Sequence, residues 1–327
     1  MPISAPSWPD ARLHVVTGKG GTGKTTVAAA LALALATGRR RVLLVEVEGR
    51  QGIAQLFDTA PLPYEERKIA VAPDGGEVRA LAVDPEEALL EYLEMFYNLR
   101  RAGSALKRLG AIDFATTIAP GMRDVLLTGK VKEATTRTEE GHRVYDAVVL
   151  DAPPTGRIAR FLNVSGEVAG LAKVGPIKSQ SDKVIALLRS RETAVHVVTL
   201  LEEMPVQETV DAVTELRGSG LPVGTVIINM SRQPLLPTGK VDRGEVADGL
   251  RNVGIKASEP VLDALMQEAA EHLERLRIER RERRQLAAVG RPVLQLPFVT
   301  EGVDLVAMLD LAAALRAQGV TSVKAPA

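Results

Sequence analysis

One stretch, Gly18-Lys19-Gly20-Gly21-Thr22-Gly23-Lys24-Thr25, constrains this chain more than any other. It follows the apolar run Leu13 to Val16, which reads as a buried strand. It precedes Thr26 to Ala36, rich in alanine and leucine, which reads as a helix. Glycines at a strand-to-helix junction let successive backbone N–H groups converge on one point with no Cβ in the way. The helix N-terminus adds its partial positive charge, so the junction suits a phosphate chain. The spacing fits G-x-x-x-x-G-K-[ST] in full, which gives Lys24 reach to the β- and γ-phosphates and gives Thr25 a hydroxyl that can hold Mg2+. The expected ligand is a nucleoside triphosphate cradled by Gly18, Lys19, Gly20, Gly21, Thr22, Gly23, Lys24, Thr25 and Thr26.

A loop of this kind needs a sheet behind it, and the rest of the chain supplies one. Apolar, β-branched runs recur at Leu13–Thr17, Val42–Val47, Val78–Val83, Ala147–Leu150, Val195–Leu200, Val223–Asn229 and Val293–Leu296. Several lack polar alternation, as parallel strands covered on both faces do. With helical stretches between them they predict an α/β fold with a doubly wound, mostly parallel sheet. Residues 84–144 and 157–190 break the rhythm with helical pattern, including Leu89, Tyr92, Leu93, Phe96 and Leu99. We read a single domain over residues 1–327 with these segments forming an inserted helical subdomain. The run Glu274 to Gln285 alternates acids with arginines and predicts an exposed helix laced with ion pairs. Val303, Val306, Leu309 and Ala313 mark the expected apolar stripe of a C-terminal helix.

Composition excludes several classes. Basic and acidic residues number 41 each, so no global field favours nucleic acid or an anionic membrane. The chain has no cysteine, which rules out disulfides, Fe–S clusters and thiolate zinc sites and fits a cytoplasmic protein. Residues 1–11 carry three prolines and no apolar core, so no secretory signal is expected there. No apolar run approaches the length of a membrane span.

A second constellation belongs beside the phosphates. Val148-Val149-Leu150-Asp151 is an apolar strand ending in an acid, followed by Ala152-Pro153-Pro154-Thr155-Gly156. An aspartate at the C-terminal end of a central strand lies where ligands bind in open α/β sheets, and Asp151 can hold water on a magnesium shell. The stiff Pro-Pro-Thr-Gly loop can sense a γ-phosphate. Lys19 is not required by phosphate loops in general, and the backbone leads it away from its own γ-phosphate. Across a two-fold interface it could reach the partner's nucleotide and stabilise the transferring phosphoryl group.

Together the K-G-G-x-G-K-T loop and Asp151-Ala-Pro-Pro-Thr-Gly156 resemble the deviant Walker A ATPases of the arsenite-pump and tail-anchored-protein-targeting family. Further matches follow in chain order: Ala119-Pro120-Gly121-Met122, Leu201 to Thr209, Val226-Ile227-Ile228-Asn229, and Leu296-Pro297-Phe298 before Glu301-Gly302. The resemblance covers nearly the whole chain. It implies a Mg2+-dependent ATPase that works as a nucleotide-driven dimeric switch. Asn229 would pair with the adenine edge and Pro297 and Phe298 would close over the base. A hydrophobic client or membrane-associated protein is the kind of partner the family serves.

The family's water-positioning aspartate sits in a Ser-Thr-Asp-Pro-Ala-His stretch. Here the strand runs Val45-Glu46-Val47-Glu48-Gly49-Arg50-Gln51-Gly52, and alignment through Leu56-Phe57 puts Glu48 at the aspartate's position. Lys19, Lys24 and Glu48 are thus the expected catalytic residues, with Thr25 and Asp151 at the metal. The zinc cysteines of the targeting members are missing, which suits a bacterial member whose interface is held otherwise. A homodimer and a heterodimer with a paralogous ATPase both remain open. So do two rival functions: a weakly hydrolysing, nucleotide-binding regulatory subunit of a heterodimer, and a partition-type positioning ATPase.

Overall fold

All the apolar runs expected to be strands are strands, and their ends shift by at most two residues. The computed structural model describes residues 8, 10–97, 122–163, 176–236 and 241–320. In chain order these give β1 (Leu13–Gly18), α1 (Lys24–Ala36), β2 (Arg41–Glu46), α2 (Gly52–Leu56), β3 (Arg67–Ala72), β4 (Gly76–Ala82), α3 (Pro85–Tyr97) and α4 (Met122–Thr136). There follow the two-residue hairpin strands β5 (Thr138–Glu139) and β6 (His142–Arg143), then β7 (Ala147–Asp151), α5 (Thr155–Leu162), α6 (Pro176–Leu188) and β8 (Thr193–Thr199). The series closes with α7 (Glu203–Gly218), β9 (Val223–Ser231), α8 (Arg243–Asn252), α9 (Glu259–Ala288), β10 (Val293–Pro297) and α10 (Leu305–Ala317).

Eight strands form one sheet in the order β10-β9-β8-β1-β7-β2-β4-β3. All neighbours are parallel except β3 with β4. The chain winds outward from β1 through β2 and β4, then returns to build β8, β9 and β10 on the other side. The carboxyl end of β1 is therefore the switch point where the crossovers part and a ligand crevice opens. The edge strand β3 was not among the expected runs. Its exposed Arg67 and Lys68 and its partial burial make it read as surface, and charge of that kind protects an antiparallel edge.

The period of two in each strand sorts its side chains between two cores. Val42 and Leu44 of β2 and Ala147 and Val149 of β7 pack with α1 and α10. Leu43, Val45, Val148 and Leu150 face the opposite way, into a cluster with Leu126 and Leu127 of α4, Phe161 of α5, Leu187 of α6 and Leu216 of α7. α1 has no polar face because it needs none: every residue from Val27 to Ala36 is buried. Arg137, just past α4, ties that helix to the sheet edge through Glu66 at 2.7 Å and Glu133 at 2.8 Å.

Leu89 of α3 is buried in the second core. The side chains of Tyr92, Leu93 and Phe96, together with Leu99 and residues 119–121, lie outside the described set. On α9 the expected ion pairs form, with Arg277 to Glu274 at 3.0 Å and Arg281 to Glu282 at 2.7 Å. The stripe expected on α10 is corrected. Met308, Leu311, Ala312 and Leu315 face the core, while Val306 is 65% exposed. The helix is apolar nearly all round, so periodicity does not select a face; packing against α1 does.

Candidate nucleotide-binding site

The loop between β1 and α1 is built on backbone conformations that side chains resist. Gly21 and Gly23 take φ of 85° and 81°, in the left-handed region. A Cβ on Gly18 would lie 2.2 Å from the carbonyl oxygen of Val198, and one on Gly23 would lie 2.4 Å from Nδ2 of Asn229. The loop is therefore pressed between β8 and the end of β9. It is also braced from within: Thr22 Oγ1 donates to the Lys19 carbonyl at 2.9 Å, and Lys24 Nζ donates to the same oxygen at 3.4 Å. Thr26 is the third residue of α1, so its amide is among those left without an intrahelical partner at the helix head.

Thr25 and Asp151 meet. Thr25 Oγ1 donates to Asp151 Oδ2 at 2.7 Å, joining the head of α1 to the end of β7. Burial pushes the Asp151 carboxyl up to about 6, with Thr25 and Lys24 opposing the rise and Glu46 and Glu48 adding to it. Burial also lowers Lys24, against the pull of Asp151 and Glu48. A half-buried ammonium, a carboxylate and a hydroxyl thus converge below the glycine loop. Magnesium prefers few protein oxygens plus phosphates and water. The Thr25–Asp151 oxygen pair fits that demand, and among the described residues no cluster of three or more histidine or acidic side chains competes for an ion.

Glu48 lies in the loop between β2 and α2. Arg157 Nη1 approaches it at 3.5 Å and Arg50 Nε at 3.8 Å. It lines a cavity of about 210 Å3 with Arg123, Pro153 and Phe161, so the Glu48 loop and the Pro-Pro-Thr-Gly loop border the same space. Lys19 takes another direction. Its Nζ pairs with Glu208 Oε1 on α7 at 2.7 Å, and Glu208 Oε2 is 3.5 Å from Thr155 Oγ1.

A second cavity of about 460 Å3 opens beside the loop, lined by Leu200, Asn229, Met230, Arg232, Ile278 and Phe298 among others. Asn229 also donates to the Thr22 carbonyl at 3.0 Å, so it fixes the phosphate loop as well as facing the cavity. Phe298 lies under the Arg232 guanidinium, 4.3 Å from ring centroid to Cζ. Pro297 pairs with Ser231 across β10 and β9 and is not among the lining residues. Four neighbours had not been singled out in the sequence: Glu46, Arg157, Glu208 and Arg232. Only Glu46 left a readable mark, as an acid inside an apolar strand.

A parallel sheet with a phosphate loop at its switch point, a lysine within that loop and a Thr–Asp oxygen pair beneath it defines a phosphate-loop nucleotide-binding protein. Residues 11–189 match the family model described as anion-transporting ATPase. The chain is 54% identical to ATPase BagA of Mycobacterium tuberculosis over 330 positions, covering 97% of each. It is 24% identical to an arsenical pump-driving ATPase of Acidiphilium multivorum, over 90% of this chain and 53% of that one. It is 25% identical to ATPase GET3 of Lachancea thermotolerans, over 65% of this chain and 70% of that one. The chain belongs to the anion-transporting ATPase family and is an ATPase.

Proposed function

We propose that this ATPase is a Mg2+-dependent, nucleotide-driven dimeric switch. The observation that carries the reading is the Thr25–Asp151 hydrogen bond directly beneath the glycine loop, which supplies oxygens where the β- and γ-phosphates would lie. In this reading Gly18 to Thr26 cradle the phosphates and Lys24 neutralises charge on the transferring group. Thr25 and, through water, Asp151 would hold magnesium, which would supply electrostatic stabilisation of that charge. Asn229 and Phe298 receive the base, with Pro297 shaping the turn that carries Phe298. Glu48 orients the attacking water and accepts its proton.

Lys19 acts across a dimer interface, after exchanging Glu208 for the partner's phosphates. The loops at residues 48–52 and 153–157 meet through Glu48 and Arg157, so loss of the γ-phosphate would reach both at once and pass to the inserted helices within 84–144 and 157–190. Among the described residues no helix is long and apolar enough to cross a membrane. In this reading the switch acts in the cytoplasm on a hydrophobic or membrane-associated client. Glu48 faces Arg157 and Arg50 and must turn from them to reach a water, which favours slow or partner-dependent turnover. The partner is then a second copy or a paralogue.

Lys24→Ala tests the site. Calorimetry with ATP and Mg2+ is expected to show binding by the wild type and none by the variant, and retained tight affinity would remove the loop from the reading. Particle mass in ATP and in ADP tests the dimer, with a doubled mass expected in ATP only.

A further inference from the structure

Glu46 closes β2 and is 3% exposed. Its Oε2 accepts a hydrogen bond from the Ile53 amide at 3.2 Å, which fixes the head of α2. Its Oε1 is buried and has no hydrogen-bond partner. A buried carboxylate oxygen without a donor is a costly arrangement that folded proteins keep for a reason.

The sheet register supplies the reason. Glu46 is the partner of Asp151 in the β2–β7 pairing. Val42 and Leu44 precede it on the α1 side of the sheet, as Ala147 and Val149 precede Asp151. By the period of two, both carboxylates continue that same row, on strands about 4.8 Å apart. Asp151 is bonded to Thr25. Glu46 therefore stands beside the proposed magnesium oxygens, on the same face, with one oxygen unused.

We infer that Glu46 is a positioning residue of the magnesium corner: one oxygen holds α2, and the other accepts a hydrogen bond from water ordered there when Mg2+ and nucleotide bind. The inference rests on the proposed magnesium site. It ties that site to the Glu48 loop, because the loop is anchored at one end by the Glu46–Ile53 bond.

ADP affinity measured by calorimetry across a Mg2+ series tests it, on the wild type, Glu46→Gln and Glu46→Asp. Glu46→Asp keeps the buried charge and withdraws its reach, and serves where Glu46→Gln does not fold. Both variants are expected to match the wild type in ADP affinity without metal and to need ~10-fold more Mg2+ at the midpoint, as loss of an outer-shell partner does. Midpoints equal to the wild type in either folded variant overturn the inference. So does a purely structural outcome, in which melting temperature or metal-free affinity falls while the Mg2+ midpoint stays. A wild type whose ADP affinity ignores Mg2+ overturns the magnesium site itself, which separates the two failures.

Discussion

Gly23→Ala is the sharpest test of how the phosphate loop is held. Gly23 has φ of 81°, and an L-residue in the left-handed helical region costs about 1–2 kcal/mol. Its new Cβ would lie 2.4 Å from Asn229 Nδ2, so Asn229 must move and abandon the Thr22 carbonyl that it now bonds at 3.0 Å. Leaving a buried polar group unpaired adds about 1–3 kcal/mol. The sum is on the order of 3 kcal/mol, read by urea unfolding followed by circular dichroism. Gly20→Ala is the control: its Cβ meets nothing within 4 Å, and the midpoint is expected to stay within about 0.5 kcal/mol of the wild type. The double variant Gly23→Ala with Asn229→Ala relieves the collision and is expected to cost less than the two single changes added together. Strict additivity, or a Gly23→Ala midpoint equal to that of Gly20→Ala, would refute the claim that Asn229 and Gly23 share one packed contact.

Three further expectations follow from the site and its surroundings. Glu48→Gln should slow phosphate release at least tenfold while ATP affinity in calorimetry is retained; equal turnover would remove Glu48 from the chemistry. Glu208→Gln should free Lys19, and if the lysine acts in trans, ATP-dependent dimerisation should strengthen in sedimentation while an unchanged association constant speaks against a restraint. Acid stability should carry the signature of the buried histidines. His14 Nδ1 and His196 Nε2 lie 3.1 Å apart, and burial lowers His14 from 6.5 to about 4 and His196 in the same direction. The unfolded chain takes up protons that the native histidines refuse. Stability is thus lost as pH falls from 6.5 toward 4, by about 3 kcal/mol for His14 alone. Asp151 acts in the opposite sense, since its native carboxyl is raised to about 6 and gains a proton before the unfolded one does. Urea midpoints across that range should therefore fall more steeply in Asp151→Asn than in the wild type; parallel curves would contradict the raised carboxyl.

The parts of this fold legible in the sequence are those fixed by local pattern. Buried parallel strands are continuous apolar runs, and the glycine loop announces its own geometry, so β1, the loop and α1 could be placed to within two residues. β3 escaped because its charged residues and half-burial describe an edge as well as they describe a loop. The face of α10 escaped because an almost wholly apolar helix offers several stripes, and only contact with α1 selects Met308 and Leu311 over Val306. Asp151 was legible from its place at a strand end. Glu46 shows in the sequence only as an acid in an apolar strand; its meaning depends on which strand lies beside β2, and a sequence does not state that β7 inserts between β1 and β2. The partners of Lys19 and Glu48 were hidden for the same reason: Glu208 and Arg157 arrive from elements far along the chain.

α1 is sheathed on every side, and this limits what ATP can move. A rod embedded in close-packed side chains has nowhere to slide without opening gaps among Met308, Leu311 and the sheet. The rim proposed to hold the phosphates would then be a fixed bearing, and any motion of the proposed switch would leave by the segments beside it, where Arg157 approaches Glu48 at 3.5 Å.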